Sequence, residues 1–130
     1  MSPLDEVTRS SVERIWQGVV DGSVSREEAH AWAEPWVEGD SGSGDVMTDS
    51  GLQHLHGFDL VWVDDDRTIT QHGGIGPRVH SAADIERAFT AWQAACDSYD
   101  ADPVGYVRQV QASALANLLG DLREHGREAE

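Results

Sequence analysis

The chain has 130 residues, 24 of them acidic against nine basic residues that are all Arg, for a formal net charge of −15. An excess of this size repels polyanions and argues against direct nucleic-acid binding, and a single cysteine, Cys96, excludes an internal disulfide and any Cys-rich zinc cluster. No run approaches the roughly 20 apolar residues that span a bilayer, and the start MSPLDEV lacks the basic and apolar regions of a signal peptide, so a cytoplasmic protein with no membrane partner is expected.

Five Trp, two Phe and two Tyr, with 39% hydrophobic residues, are more than a disordered acidic chain carries. The expected class is mainly α: a compact bundle of four to five helices with one small β-hairpin between helices three and four. Residues 1–126 read as one helical domain, the hairpin falling near 59–72, and residues 127–130 as a polar tail.

Leu4, Val7, Val12, Ile15, Trp16, Val19 and Val20 follow a helical period after Ser2 and Pro3, which predicts a first helix over 3–20. The turn VDGSV leads to a second. Gly22 suits a left-handed helix end, and Ser25 followed by Glu28 is a capping box that starts the new helix at Arg26. Ala29, Trp32, Ala33, Trp36 and Val37 share one face of it, opposite Glu27, Glu34 and Glu38. Pro35 lacks an amide hydrogen, so a kink or a stop is expected there.

The run GDSGSGD at 39–45 reads as a mobile surface loop with Asp40 and Asp45 solvated. Met47, Leu52, Leu55 and Phe58 suit a short third helix, beginning near Thr48 or Asp49 and stopping at Gly57, although Gly51 is a poor helix former. FDLVWV and TITQH, on either side of DDDR, predict a hairpin whose Val61, Trp62, Val63 and Ile69 need a helix to cover one face. GGIGP at 73–77 is an irregular connection. Ser81 with Asp84 caps a fourth helix of about 17 residues with the stripe Ile85, Ala88, Phe89, Trp92, Cys96 and Tyr99. Asp102 and Pro103 open the last helix, marked by Val107, Val110, Ala114, Leu115, Leu118, Leu119 and Leu122 and ending near Gly126.

Among chemical signatures, His54 and His56, with Asp59, His72 and His80 downstream, offer imidazoles and carboxylates suited to a transition metal. Residues two apart on a helix point in nearly opposite directions, so His54 and His56 cannot share an ion unless the segment is extended. His30 reads as a surface or boundary histidine. Asp64, Asp65 and Asp66 lack EF-hand spacing and read as a turn, GGIGP lacks the Lys and Ser or Thr of a phosphate loop, and no GxSxG elbow presents a nucleophile. No cofactor is called for, and an enzymatic role is the lesser reading. Cys96 falls on an apolar stripe as a buried thiol.

The stretches WQGVVDGSVSREEAHAWAEPWVE and LQHLHGFDL resemble a group of small acidic actinobacterial proteins and, more remotely, colicin D immunity-like proteins. Gly22, Ser25, Glu27, Glu28, Trp32 and Trp36 carry the resemblance over about 60 residues. It implies a helical bundle whose acidic face occludes the basic active site of a ribonuclease toxin.

Three roles follow as expectations. The first is a non-enzymatic protein-binding domain, an immunity-type inhibitor of a basic toxin or nuclease, with Glu34, Trp36, Glu38, Asp64, Asp65 and Asp66 at the interface. The second is a metal-binding enzyme or sensor using His54, His56, His72 and a carboxylate. The third is a structural subunit that dimerises through the Leu-rich face of 107–122, so that both a monomer and a homodimer stay open.

Overall fold

Each helix in the described chain starts beside a side chain that accepts a hydrogen bond from an otherwise free backbone amide. The computed structural model describes residues 7–39 and 42–128, with side chains through Gly120. Thr8 caps α1 (Arg9–Asp21) in a capping box with Ser11, and Ser25 caps α2 (Arg26–Val37) in a second box with Glu28. Asp45 caps α3 (Val46–Gly57), accepting from the Thr48 amide at 3.0 Å. Ser81 Oγ takes the Asp84 amide at the head of α4 (Ala82–Ala101), and Asp102 takes the Gly105 amide at the head of α5 (Pro103–Glu128). Such caps satisfy donors the helix leaves unpaired, at about 1 kcal/mol each.

Between α3 and α4 lies an antiparallel hairpin, β1 (Leu60–Trp62) and β2 (Thr70–His72), in the register Leu60 to His72, Val61 to Gln71 and Trp62 to Thr70. The other edge of β1 is occupied too, since Trp62 N–H donates to Pro77 O and Val79 N–H to Leu60 O. Gly76 permits that approach, because a Cβ there would collide with the Trp62 carbonyl. Thus the helices and the hairpin follow the expected class and order.

The core gathers Val12 and Trp16 of α1, Ala29 and Ala33 of α2, Met47, Leu52 and Leu55 of α3, Val61 of β1, and Ile85, Phe89 and Trp92 of α4. Trp16 is wholly buried, its ring centroid 5.3 Å from both Phe58 and Phe89 and 5.5 Å from Trp92. Both core indoles keep their polar handle satisfied, Trp16 donating to Ile85 O at 3.1 Å and Trp92 to Met47 O at 2.9 Å. Gly51 is part of this packing. A Cβ there would lie 2.5 Å from Val12 Cγ1 and 3.1 Å from the Trp92 ring, so the residue that weakens α3 locally is the one that lets α3 meet α1 and α4 closely.

Several details differ from the sequence reading. A start for α1 at Ser2 and Pro3 lies outside the described residues, as does Asp40; the described helix starts at Arg9. Asp45 is a cap bonded to Arg9 rather than a solvated loop acid, and it moves the start of α3 forward to Val46. Pro35 does not stop α2 at once: the helix runs two residues further, to Val37. Trp32 is half-buried, its ring centroid 5.4 Å from Trp36 with the planes tilted by 52°. Val63 and Ile69 stay exposed at 53% and 58%; Val61 is the one buried residue of the two strands. Finally, α5 continues to Glu128, past Gly126.

By its contacts the chain divides into two compact units, Met1–Gln93 and Ala94–Glu130, with the boundary inside α4. The first holds α1 to α3, the hairpin and the first part of α4. In the second, Tyr99 and Tyr106 meet edge to face at 5.8 Å across the turn into α5, and Val104, Val110, Leu115, Leu118 and Leu119 are 44–60% exposed.

Candidate metal centre

Three elements of the first unit bring three imidazoles together. His30 sits in the second turn of α2, His56 in the last turn of α3, and His72 at the end of β2. α2 and α3 pack against each other more extensively than any other helix pair, which fixes two of the three. The hairpin register fixes the third by placing His72 opposite Leu60, one residue after Asp59. The ring centroids of His30, His56 and His72 are 4.3–4.7 Å apart. Each offers a nitrogen, and these atoms all lie within 4.8 Å of one another.

Hydrogen bonds decide which nitrogen of each ring carries the proton. His72 Nδ1 lies 2.6 Å from Asp59 Oδ1, and the acceptor-only carboxylate makes this nitrogen the N–H donor. His30 Nδ1 lies 2.8 Å from the His56 carbonyl oxygen, another acceptor, and 3.5 Å from Asp59. A ring that donates through Nδ1 leaves Nε2 as the nitrogen able to ligate. Asp59 is 3% exposed, and its backbone carbonyl is held by the Gly73 amide at 2.9 Å. A buried carboxylate that orients a histidine from behind is the usual support of a ligating imidazole.

His56 supplies the sharpest sign of an absent partner. Its Nε2 is buried and makes no hydrogen bond, which costs about 1–3 kcal/mol for a group desolvated without compensation. Burial, then the neighbouring His30 and His72, push its pKa below the usual histidine value, so the ring is neutral at pH 7. A neutral imidazole with an unclaimed lone pair is a metal ligand by chemistry.

Two carboxylates flank the cluster. Glu34 Oε2 lies 3.6 Å from His30 Nε2, and Glu38 Oε2 lies 3.8 Å from His56 Nε2. His30, Glu34 and Glu38 recur at four-residue steps, so α2 presents all three along one stripe.

The residues singled out from sequence fall in different places. His56 and His72 join the cluster. His54 does not, since its ring packs on Trp16 at 5.1 Å on another side of α3; two residues turn a helix by about 200 degrees. His80 sits apart on Phe58 at 5.9 Å. Asp64 is engaged locally, accepting from the amides of Thr68 and Ile69 and from the Thr68 hydroxyl, while Asp65 and Asp66 are exposed. Asp64 and Asp65 line a cleft with Trp62, Arg67 and Ile75, whereas Trp36 lines another with Val37, Asp49 and Leu52. His30 is the member of the cluster that sequence reasoning read as a surface or boundary histidine. The signal for it is the spacing His30, Glu34, Glu38 on a helix whose opposite face is apolar.

No protein-family model, characterised protein or solved structure matches the chain.

Proposed function

We propose that this protein binds one divalent transition-metal ion, zinc first among the candidates, through His30, His56 and His72. What carries the reading is the convergence of three imidazoles, two of them held from behind, around a buried His56 Nε2 that lacks any hydrogen-bond partner. Imidazole nitrogen is a preferred donor for zinc, copper, nickel and iron, and three-histidine sets are typical of zinc sites that keep a position open. In a tetrahedral shell with metal–nitrogen bonds of about 2.0–2.1 Å, ligand nitrogens stand about 3.3 Å apart. Modest side-chain rotations bring a set within 4.8 Å to that spacing.

The test is titration of chelator-stripped protein with Zn²⁺ in a calorimeter, with elemental analysis of the purified chain. Stoichiometric uptake by the wild type and by His54→Ala, with loss in His30→Ala, His56→Ala and His72→Ala, is expected. Failure of the wild type to take up Zn²⁺, Co²⁺ or Ni²⁺ ends the reading.

A second reading, an acidic surface that docks a basic protein, draws support from the exposed Glu34, Glu38, Asp65 and Asp66 and the half-buried Trp36. Charge reversal at Asp65 and Asp66 that abolishes capture of a basic partner, such as a ribonuclease toxin, would support it. Retained capture would remove those residues from the interface.

A further inference from the structure

We propose that Glu34 and Glu38 are themselves metal ligands, so that α2 supplies a nitrogen and two oxygens to a shell of three imidazoles and two carboxylates, with one octahedral position left for water or another small oxygen donor. This rests on the metal reading and specifies its coordination.

The separations point this way. Two ligands of one ion stand about 3.0–3.3 Å apart when metal–ligand bonds are about 2.0–2.2 Å. Glu34 Oε2 and Glu38 Oε2 already lie 3.6 and 3.8 Å from nitrogens of His30 and His56, each close to ligand spacing for one ring, so joining the shell that the three nitrogens form requires each carboxylate to rotate toward the other rings. Each carboxylate sits beside a different ring, so the two enter the shell from different sides and do not compete for one position. Glu38 in particular adjoins the orphaned His56 Nε2.

Mobility and charge agree. Glu34 and Glu38 side chains are 52% and 57% exposed, against 17% and 16% for His30 and His56, so the carboxylates have more freedom to close on an ion than the imidazoles, which need only small rotations. Two carboxylates also neutralise a divalent cation. Hard oxygen donors added to three nitrogens move the preference from a closed four-coordinate zinc site toward Mn²⁺, Fe²⁺ and Co²⁺ in five or six coordination. Partly exposed ligands make the ion exchangeable, and the remaining position is where a water or an oxygen-donor molecule would bind it.

The experiment uses the full chain, stripped of metal and loaded with Co²⁺, in the wild type, Glu34→Gln, Glu38→Gln and the double variant. Co²⁺ absorbs weakly in the visible when five- or six-coordinate and strongly when tetrahedral. Expected are a weak wild-type spectrum, an intensified one in the double variant, and affinities reduced about tenfold or more by each single change, with unchanged circular dichroism. An intense wild-type spectrum, or spectra and affinities unmoved in either single variant, overturns the two-carboxylate shell while leaving the three-histidine reading in place. Absence of Co²⁺ and Zn²⁺ binding in the wild type overturns both.

Discussion

At the scale of single residues, buried polarity falls on two side chains. Thr48 and Asp59 are the buried polar side chains among the described residues, and Asp59 lies behind His72 and within 3.5 Å of His30. Asp59→Asn keeps the shape but replaces a charged acceptor with a neutral amide oxygen, so the bond from Nδ1–H weakens and orients the ring less firmly. The expected outcome is a loss of about 10–100-fold in Zn²⁺ affinity, read by competition with a chromophoric chelator, with little change in thermal unfolding of the metal-free protein. Gly51 makes the opposite kind of demand. Gly51→Ala gains helix propensity of about 1 kcal/mol, yet its methyl meets Val12 and Trp92 at 2.5 and 3.1 Å. Overpacking of this sort costs about 1–3 kcal/mol, so net destabilisation in urea unfolding is expected, whereas the same substitution at half-buried Gly120, where an added Cβ meets nothing within 4 Å, stabilises.

Elements are where the sequence was most legible, because caps and stripes are local. Ser25 with Glu28, Ser81 with Asp84, and Asp102 all head helices as their spacing implied. Asp45 was not legible: its partner Arg9 is 36 residues away, and a Gly- and Ser-rich context reads as loop. The candidate site was half legible for the same reason. His56 and His72 stood in one segment rich in histidine, but His30 reaches them only through the packing of α2 on α3, and adjacency across elements leaves no local trace. Asp45 joins α1 to α3. It accepts from Arg9 Nε at 2.9 Å and Nη2 at 3.3 Å, and from Thr48. The Arg9 hydrogen bond first, then those from Thr48, lower its pKa from 3.8 to about 2. A carboxyl depressed on folding stabilises above its unfolded pKa and loses that contribution as pH falls from about 4 toward 2. With its side chain 37% exposed, solvent screening reduces the contribution to about 1 kcal/mol. Asp45→Asn is therefore expected to be less stable than wild type at pH 7, the gap narrowing between pH 4 and pH 2 in urea unfolding. Ser25→Ala, by contrast, costs about 1 kcal/mol at either pH.

The whole molecule is governed by charge. Residues 1–102 hold 20 acidic residues and six Arg, a net of −14, whereas residues 103–120 hold Arg108 and no acid. The ion pairs that offset this are mostly solvent-facing: Arg78 with Glu27 at 2.9 Å, and Arg87 with Asp84, each worth about 0–1 kcal/mol. Attraction between paired surface charges and repulsion among the excess acids are both screened by salt, and the sign of the salt effect tells which dominates. With so few cations to pair, repulsion dominates. Raising NaCl from low to physiological levels and beyond shortens the screening length from about 30 Å at 0.01 M to about 3 Å at 1 M, so the thermal midpoint of metal-free protein is expected to rise across that range. A falling midpoint would mean that the surface pairs outweigh the repulsion. Zn²⁺ adds a separable term, because an ion bound only by the folded state stabilises by about 2.7 kcal/mol at one hundred times its dissociation constant. At 1 M NaCl, where general cation attraction is screened, that increment should persist in the wild type and vanish in His56→Ala. A Zn²⁺ effect equal in both proteins would mark it as charge neutralisation rather than coordination.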